Sequence, residues 1–180
     1  MNQRNNKEIK LSIDEINLNI LKSRNVTKKY LDWLNDYEIV KYTEQKNITH
    51  SIDSIKNYVS EKYDCPNNYL FGIFFKKKHI GNIKLGPINF KKRNATLSYF
   101  IGERKFWNKG ITSKVIKRIS DFALQDLGIN EIFSGSYNIN EASKKVLYNN
   151  DFKIEEILVK QREFEGKKVD VIIMKKILSP

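Results

Sequence analysis

A chain of 180 residues holds one ordinary domain with a buried core and is too short for two, so residues 1–180 read as a single unit. Its 33 basic and 21 acidic residues leave a formal charge of +12, which points to an anionic partner; 40% hydrophobic content argues against disorder, and one cysteine, Cys65, excludes a disulfide framework and any multi-cysteine metal site. The longest apolar run, residues 69–75, is short and broken by glycine, so no membrane span is expected, and the opening MNQRNNKEIK lacks the apolar stretch of a secretion signal, which makes the cytoplasm the expected compartment.

Ile9, Leu11 and Ile13 alternate with polar residues, as do Ile16, Leu18 and Ile20, the period of half-buried strands. From residue 27 to about 35, Tyr30, Leu31 and Leu34 fall at helical spacing, and Thr49 opens a second amphipathic stretch through Ile52, Ile55 and Val59. YLFGIFF and HIGNIKLG flank a lysine-rich turn at 76–78 and read as a β-hairpin, with His79 solvated in the turn. A strand follows at 95–101. From 110 to 127, Ile111, Val115, Ile119, Phe122 and Ala123 mark one face of a long helix that stops before Gly128. Residues 129–137 read as a strand and 141–150 as a helix behind Asn140, and the tail reads as two strands joined around Glu165, Gly166 and Lys167. The order ββ-αα-βββ-α-β-α-ββ is an α/β (α+β) arrangement with about four helices. Its strand-helix-strand passage requires a right-handed crossover, hence one parallel pair inside a mostly antiparallel sheet.

The segment YFIGERKFWNKGITSKVIKRISDFAL carries chemistry. A strand runs into a short loop that opens directly into the long helix, so backbone N–H groups project at a helix N-terminus, the arrangement of a phosphate site. Gly110 permits close approach of a ligand, Thr112 and Ser113 supply hydroxyls, Lys109 adds positive charge, and no carboxylate interrupts the loop. A strand-to-helix loop also uses glycine and hydroxyl residues for purely structural capping.

The run Trp107-Asn108-Lys109-Gly110-Ile111-Thr112 resembles the pyrophosphate-binding loop of the GCN5-related N-acetyltransferases, in particular their ribosomal-protein-acetylating (RimJ/RimL-type) branch. Asn140-Glu141-Ala142-Ser143, followed by Phe152, is similar to that family's N-x-x-S and G-F elements, and the resemblance extends from about residue 16 to 176, including Trp33-Leu34-Asn35-Asp36. It implies an acetyl-CoA site in a V-shaped opening between the two central parallel strands. Tyr99, Phe100 and Ile101 would pair with the pantetheine arm like an added strand. The loop of Trp107, Asn108, Lys109, Gly110, Ile111, Thr112 and Ser113 would hold the pyrophosphate. Asn140 would hydrogen-bond the pantetheine or serve as a helix cap, and Ser143 would line the wall.

The chain departs from the family where acid and base are usually found. Thr96 and Gly135 stand at the two strand positions that often carry a glutamate, and Leu147 stands at the tyrosine position, with Tyr148 about 100° away round the helix. The candidate proton acceptors are therefore Asp36, Glu38 and Glu44 from the first two helices and their loop, together with His50. Neither His50 nor His79 has a second ligand at metal spacing, so no metal is expected.

The resemblance implies transfer of acetyl from acetyl-CoA to a primary amine. The positive surface disfavours a polycationic acceptor and suits an anionic small-molecule amine. Trp33-Leu34-Asn35-Asp36 followed by Tyr42-Thr43-Glu44 resembles members that acetylate nucleotide-linked amino sugars, the expected acceptor. Alternatives are a protein N-terminal acetyltransferase of the ribosomal type, a non-catalytic nucleic-acid-binding module using exposed aromatics such as Tyr137 or Trp107, and a non-catalytic acetyl-CoA-binding protein. The leading reading includes no nucleic-acid or membrane partner and admits a homodimer.

Overall fold

The computed structural model describes residues 9–179; most of the opening segment read above for a secretion signal lies outside the described residues. β1 (Lys10–Ile13) and β2 (Ile16–Ile20) form a hairpin whose turn holds Asp14 at φ 50°. The alternation does what its period implies: Leu11, Ile16 and Leu18 are buried.

Two of the first helices lie where the hydrophobic period puts them. α1 (Lys28–Leu34) is capped by Thr27, whose hydroxyl accepts from Tyr30 N. A one-turn helix, α2 (Tyr37–Val40), follows; four residues are too few to show a period, so the expected pair becomes three helices. α3 (Ile52–Asp64) is capped by Ser51 rather than Thr49, because Ser51 and Ser54 exchange side-chain-to-backbone hydrogen bonds and so satisfy two end groups reciprocally.

β3 (Tyr69–Phe75) and β4 (Lys78–Asn89) turn on Lys76 and Lys77, at φ 46° and 65°, a two-residue loop with both residues left-handed. That tight turn puts His79 on β4 and overturns its reading as a solvated turn residue. Its ring stacks on Phe74 at 4.9 Å, meets Trp33 edge-on at 5.0 Å, and brings Nε2 within 2.7 Å of Asn82 Oδ1. Burial lowers the His79 pKa below 6.5, against the opposing hydrogen bonds to Asn82 and Gly81, and burial lowers that of His50 as well. The unfolded chain therefore takes up these protons first. Above about pH 6.5 both states are neutral and nothing is lost; as pH falls through 6.5 toward the folded values, stability declines. Unfolding free energy should drop between pH 7 and pH 5, and NMR should show the His79 imidazole titrating below 6.5; a folded-state titration at or above that value contradicts the burial argument.

β5 (Asn94–Ile101), α4 (Ile111–Gln125), β6 (Glu131–Tyr137), α5 (Glu141–Tyr148), β7 (Lys153–Phe164) and β8 (Lys167–Ile177) complete the chain. Among the described residues eight strands form one sheet in the order β1-β2-β3-β4-β5-β6-β8-β7, antiparallel except where β5 meets β6, as the crossover requires. One face packs against α4 and α5 through residues such as Val115, Ile116 and Phe122 over Phe71, Ile83 and Leu97. The other carries α1, α2 and α3, with Trp33, Val40, Ile55 and Val59 over Leu21 and Leu70. Among the described residues no helix is long and apolar enough to cross a membrane.

Candidate functional site

β5 and β6 are joined by only three residue pairs, Asn94 with Glu131, Ala95 with Ile132 and Thr96 with Phe133. Beyond them the strands part, while β5 stays paired to β4 as far as Ile101. In an antiparallel ladder alternate residues bond to the neighbour and the rest point away. The carbonyls of Leu97 and Ile101 point away from β4: Leu97 accepts from Ser134 Oγ at 3.1 Å, and Ile101 accepts from Trp107 Nε1 at 2.7 Å. Tyr99 lies between them, so its N–H and C=O face the opening, the edge an extended ligand arm would pair with. The Tyr99 side chain crosses to α5, with its hydroxyl 3.0 Å from Ser143 Oγ, and burial pushes its pKa up to about 12, so it stays protonated. Phe100 turns to the opposite face and packs with Tyr30 and Trp33.

The loop leaving β5 makes a short turn at residues 104–106 and then exposes Asn108, Lys109 and Gly110. Gly110 precedes α4 at φ 71°, a left-handed value that favours glycine, and nothing lies within 4 Å of where a Cβ would stand. The first intrahelical bond runs from Lys114 N to Gly110 O, so the N–H groups of Ile111, Thr112 and Ser113 have no partner within the helix, and the first turn carries no acidic residue. A 15-residue helix, free donors and an unencumbered glycine fit a pyrophosphate. Asn140 forms the cap: its Oδ1 accepts from Ser143 N at 3.1 Å. Two residues earlier, Asn138 Oδ1 is buried with no hydrogen-bond partner among the described residues. Sequence reading passed over Asn138, since an asparagine in a strand-to-helix loop carries no distinguishing signal.

Each of the three candidate carboxylates has a cation of its own. Asp36 caps α2 by accepting from Glu38 N at 3.0 Å and takes the Arg104 guanidinium at 2.5 and 2.6 Å. Glu38 pairs with Lys41 at 2.8 Å, and Glu44 with Arg162 at 2.7 Å. His50 is held through its backbone by Asn35, while its Nε2 is enclosed without a hydrogen-bond partner among the described residues. Thr96 is exposed, Gly135 faces Ile173 and Val171, Leu147 is fully buried, and Tyr148 points outward. No hydroxyl from α5 takes the place of Leu147. Among the described residues no cluster of histidine, cysteine and carboxylates could hold a metal ion.

On the α1–α3 face, residues 37–46 are tied to the far half of the β7–β8 hairpin. Tyr37 donates to Glu165 Oε1 at 3.3 Å, Tyr42 stacks on Phe164 at 5.1 Å, Lys46 donates to the Glu163 carbonyl, and Arg162 holds Glu44. Beneath this tie lies Tyr137, 4% exposed, edge-on to Tyr42 at 6.3 Å and under Lys46 Nζ at 5.1 Å; its hydroxyl has no hydrogen-bond partner among the described residues. The expectation of an exposed Tyr137 is thus corrected: the segment 42–46, far away in sequence, covers it. Trp107 is 38% exposed, but its indole N–H is committed to Ile101. A cavity of about 420 Å³ opens beside the tie, lined by Leu34, Asn35, Tyr37, Lys46 and Ile48 among others.

Residues 21–153 match the family model described as an acetyltransferase (GNAT) domain. Among solved structures, RimL, a ribosomal L7/L12 α-N-protein acetyltransferase in complex with coenzyme A, superposes with a TM-score of 0.86 at 15% identity, covering 94% of this chain and 98% of that one. A Vibrio cholerae spermidine N-acetyltransferase in complex with CoA and spermine gives 0.82 at 20% identity over 91% and 95% of the two chains. The microcin C7 self-immunity acetyltransferase MccE, in complex with acetyl-CoA and AMP, gives 0.79 at 19% identity over 92% and 94%. At these identities the likeness is one of fold.

Proposed function

The chain belongs to the GNAT acetyltransferase family and is an acetyl-CoA-dependent N-acetyltransferase, and from that premise we propose that its acceptor is a small anionic amine, the amino group of a nucleotide-linked amino sugar. The observation that carries the small-molecule part is the tie between residues 37–46 and the β7–β8 hairpin across the end of β6. A roofed acceptor side suits a compact amine better than the extended N-terminus of a folded protein. The charge argument comes from the ion pairs: Asp36 and Glu44 are already matched by Arg104 and Arg162, so a polyamine would have to displace a guanidinium from each carboxylate it used.

In this reading Tyr99 presents the strand edge to the pantetheine arm, between Phe100, whose backbone faces β4, and Ile101, whose carbonyl is taken by Trp107. Trp107, Asn108, Lys109, Gly110, Ile111, Thr112 and Ser113 surround the pyrophosphate, with Asn140 and Ser143 along the wall. The acceptor nitrogen reaches the thioester from the α1–α3 face, and its proton leaves toward one of Asp36, Glu38, Glu44 or His50. Fixing the two reactants in one opening supplies much of the acceleration, because the transfer becomes effectively unimolecular. The cytoplasm, where both reactants are made, is the compartment this reading assigns.

The test is acetyl-CoA-dependent thiol release against nucleotide-linked amino sugars, peptides with free N-termini, and spermidine. Turnover should be confined to the amino-sugar pool. Preference for peptides would overturn the roofed-site argument, and preference for spermidine would overturn the charge argument.

A further inference from the structure

Most charged side chains around the site are matched. Arg104 has Asp36, Arg162 has Glu44, and Lys41 has Glu38. Lys84, on the central strand β4, has neither a carboxylate at ion-pair distance nor a hydrogen-bond acceptor among the described residues, although it is half-buried. Its neighbours Ile83 and Leu85 are fully buried on the α4 side, so by strand alternation Lys84 projects from the α1–α3 face. It stands directly opposite Ser98 of β5, a cross-strand separation of about 5 Å between Cβ atoms. Ser98 is two residues beyond Thr96, the last residue of β5 paired to β6. Lys84 therefore lies on the floor of the acceptor side, beside the apex of the opening.

The titratable group acting on it is Lys62 of α3, itself paired with Glu61 at 2.5 Å. Burial, and then the charge of Lys62, lower the Lys84 pKa below the ordinary lysine range. An ammonium withdrawn from water without a counter-charge is destabilising, and a ligand that brings the missing anion relieves that cost. The unmatched ammonium of Lys84 itself favours an anion and opposes a polyamine.

We propose that Lys84 is an anion subsite of the acceptor pocket, holding a phosphate or carboxylate carried by the acceptor close to its reacting amine. This rests on the acetyltransferase reading for its place in catalysis, and on β4–β5 geometry for its existence. The subsite narrows the acceptor class to amines with an oxyanion near the nitrogen and sets them apart from neutral amines.

Two measurements test it. With the loop at 107–113 saturated by CoA, millimolar inorganic phosphate should slow acylation of Lys84 by an amine reagent about tenfold near saturation, relative to chloride at equal ionic strength. Lys91 and Lys92, exposed in the β4–β5 turn, are the internal controls and should be unaffected, with residue-level yields read by mass spectrometry. Equal protection at all three, or none at Lys84, overturns the subsite. For whichever nucleotide-linked amino sugar is acetylated, Lys84→Met should raise KM about tenfold with kcat little changed, and Lys84→Arg should restore it. A fall in kcat alone overturns the binding role. Phosphate protection of Lys84 in a protein that acetylates no amine would leave the subsite standing and remove the transferase reading.

Discussion

Gly110→Pro should raise the dissociation constant for coenzyme A by at least about a hundredfold, some 2.7 kcal/mol, while the protein stays folded. Gly110 sits at φ 71°, and proline is confined near −65°, so the substitution reverses the chain direction at the point where the loop meets α4. The reversal carries Asn108 and Lys109 away from the helix end and removes the Gly110 N–H, which adjoins the free donors of Ile111, Thr112 and Ser113. α4 itself begins at Ile111 and buries Ile111, Val115, Ile116, Ile119 and Phe122, so the helix keeps its packing. Gly110→Ala separates the two effects. Its Cβ meets nothing within 4 Å, it keeps the N–H, and it bears only the left-handed backbone cost of about 1–2 kcal/mol. Calorimetric titration with coenzyme A, checked against thermal melts, reads both variants. Unchanged affinity in a folded Gly110→Pro protein would remove the loop from the coenzyme site.

What was legible in the sequence follows the range of the forces involved. Ile111, Val115, Ile119, Phe122 and Ala123 announced α4 because a buried helix face repeats every three to four residues, and the 107–113 loop was readable because its chemistry is contiguous in sequence. The β7–β8 turn at Glu165 and Gly166 was visible for the same reason, both residues being left-handed as a two-residue hairpin demands. Contacts between distant segments left no such trace. The β3–β4 turn is readable at residues 76–78, but two lysines do not mark it as a two-residue loop the way glycine or asparagine would, so the sequence puts His79 in the turn and not in the aromatic cluster contributed by α1 and β3. Tyr137 is buried by residues nearly a hundred positions earlier, and Asp36, Glu44 and Arg162 have partners that only the folded chain brings near. Gly102 shows the same limit at a single position: Trp33 lies flat against it, inside the space any side chain would need, and neither residue hints at the other in sequence.

Gly81→Ala should cost about 3 kcal/mol, lowering Tm by roughly 10 °C, and should weaken coenzyme binding as well. Gly81 is paired with Ile101, whose carbonyl faces away from β4 toward Trp107, so the two form a non-hydrogen-bonded pair of the closely spaced kind. A Cβ there would overlap the Phe100 carbonyl oxygen and stand 2.8 Å from Ile101 Cα. Both are backbone atoms, so no side-chain rotation relieves the overlap, and β5 must move toward the opening. The residues that move are the ones beside Tyr99, whose N–H and C=O form the strand edge offered to the pantetheine arm. Gly72→Ala is the control: its Cβ would meet the ends of the Phe74 and Leu21 side chains at 2.7 and 2.8 Å and His79 Nε2 at 3.2 Å, groups that can rotate or shift. It should be the milder of the two and leave coenzyme affinity unchanged, because β3 is separated from β5 by β4. Denaturant midpoints and coenzyme A titrations on the pair decide the matter. Equal loss of stability with equal affinity would mean that the β4–β5 spacing does not set the coenzyme edge, whereas loss of affinity in Gly81→Ala alone would tie the opening to a single glycine on the neighbouring strand.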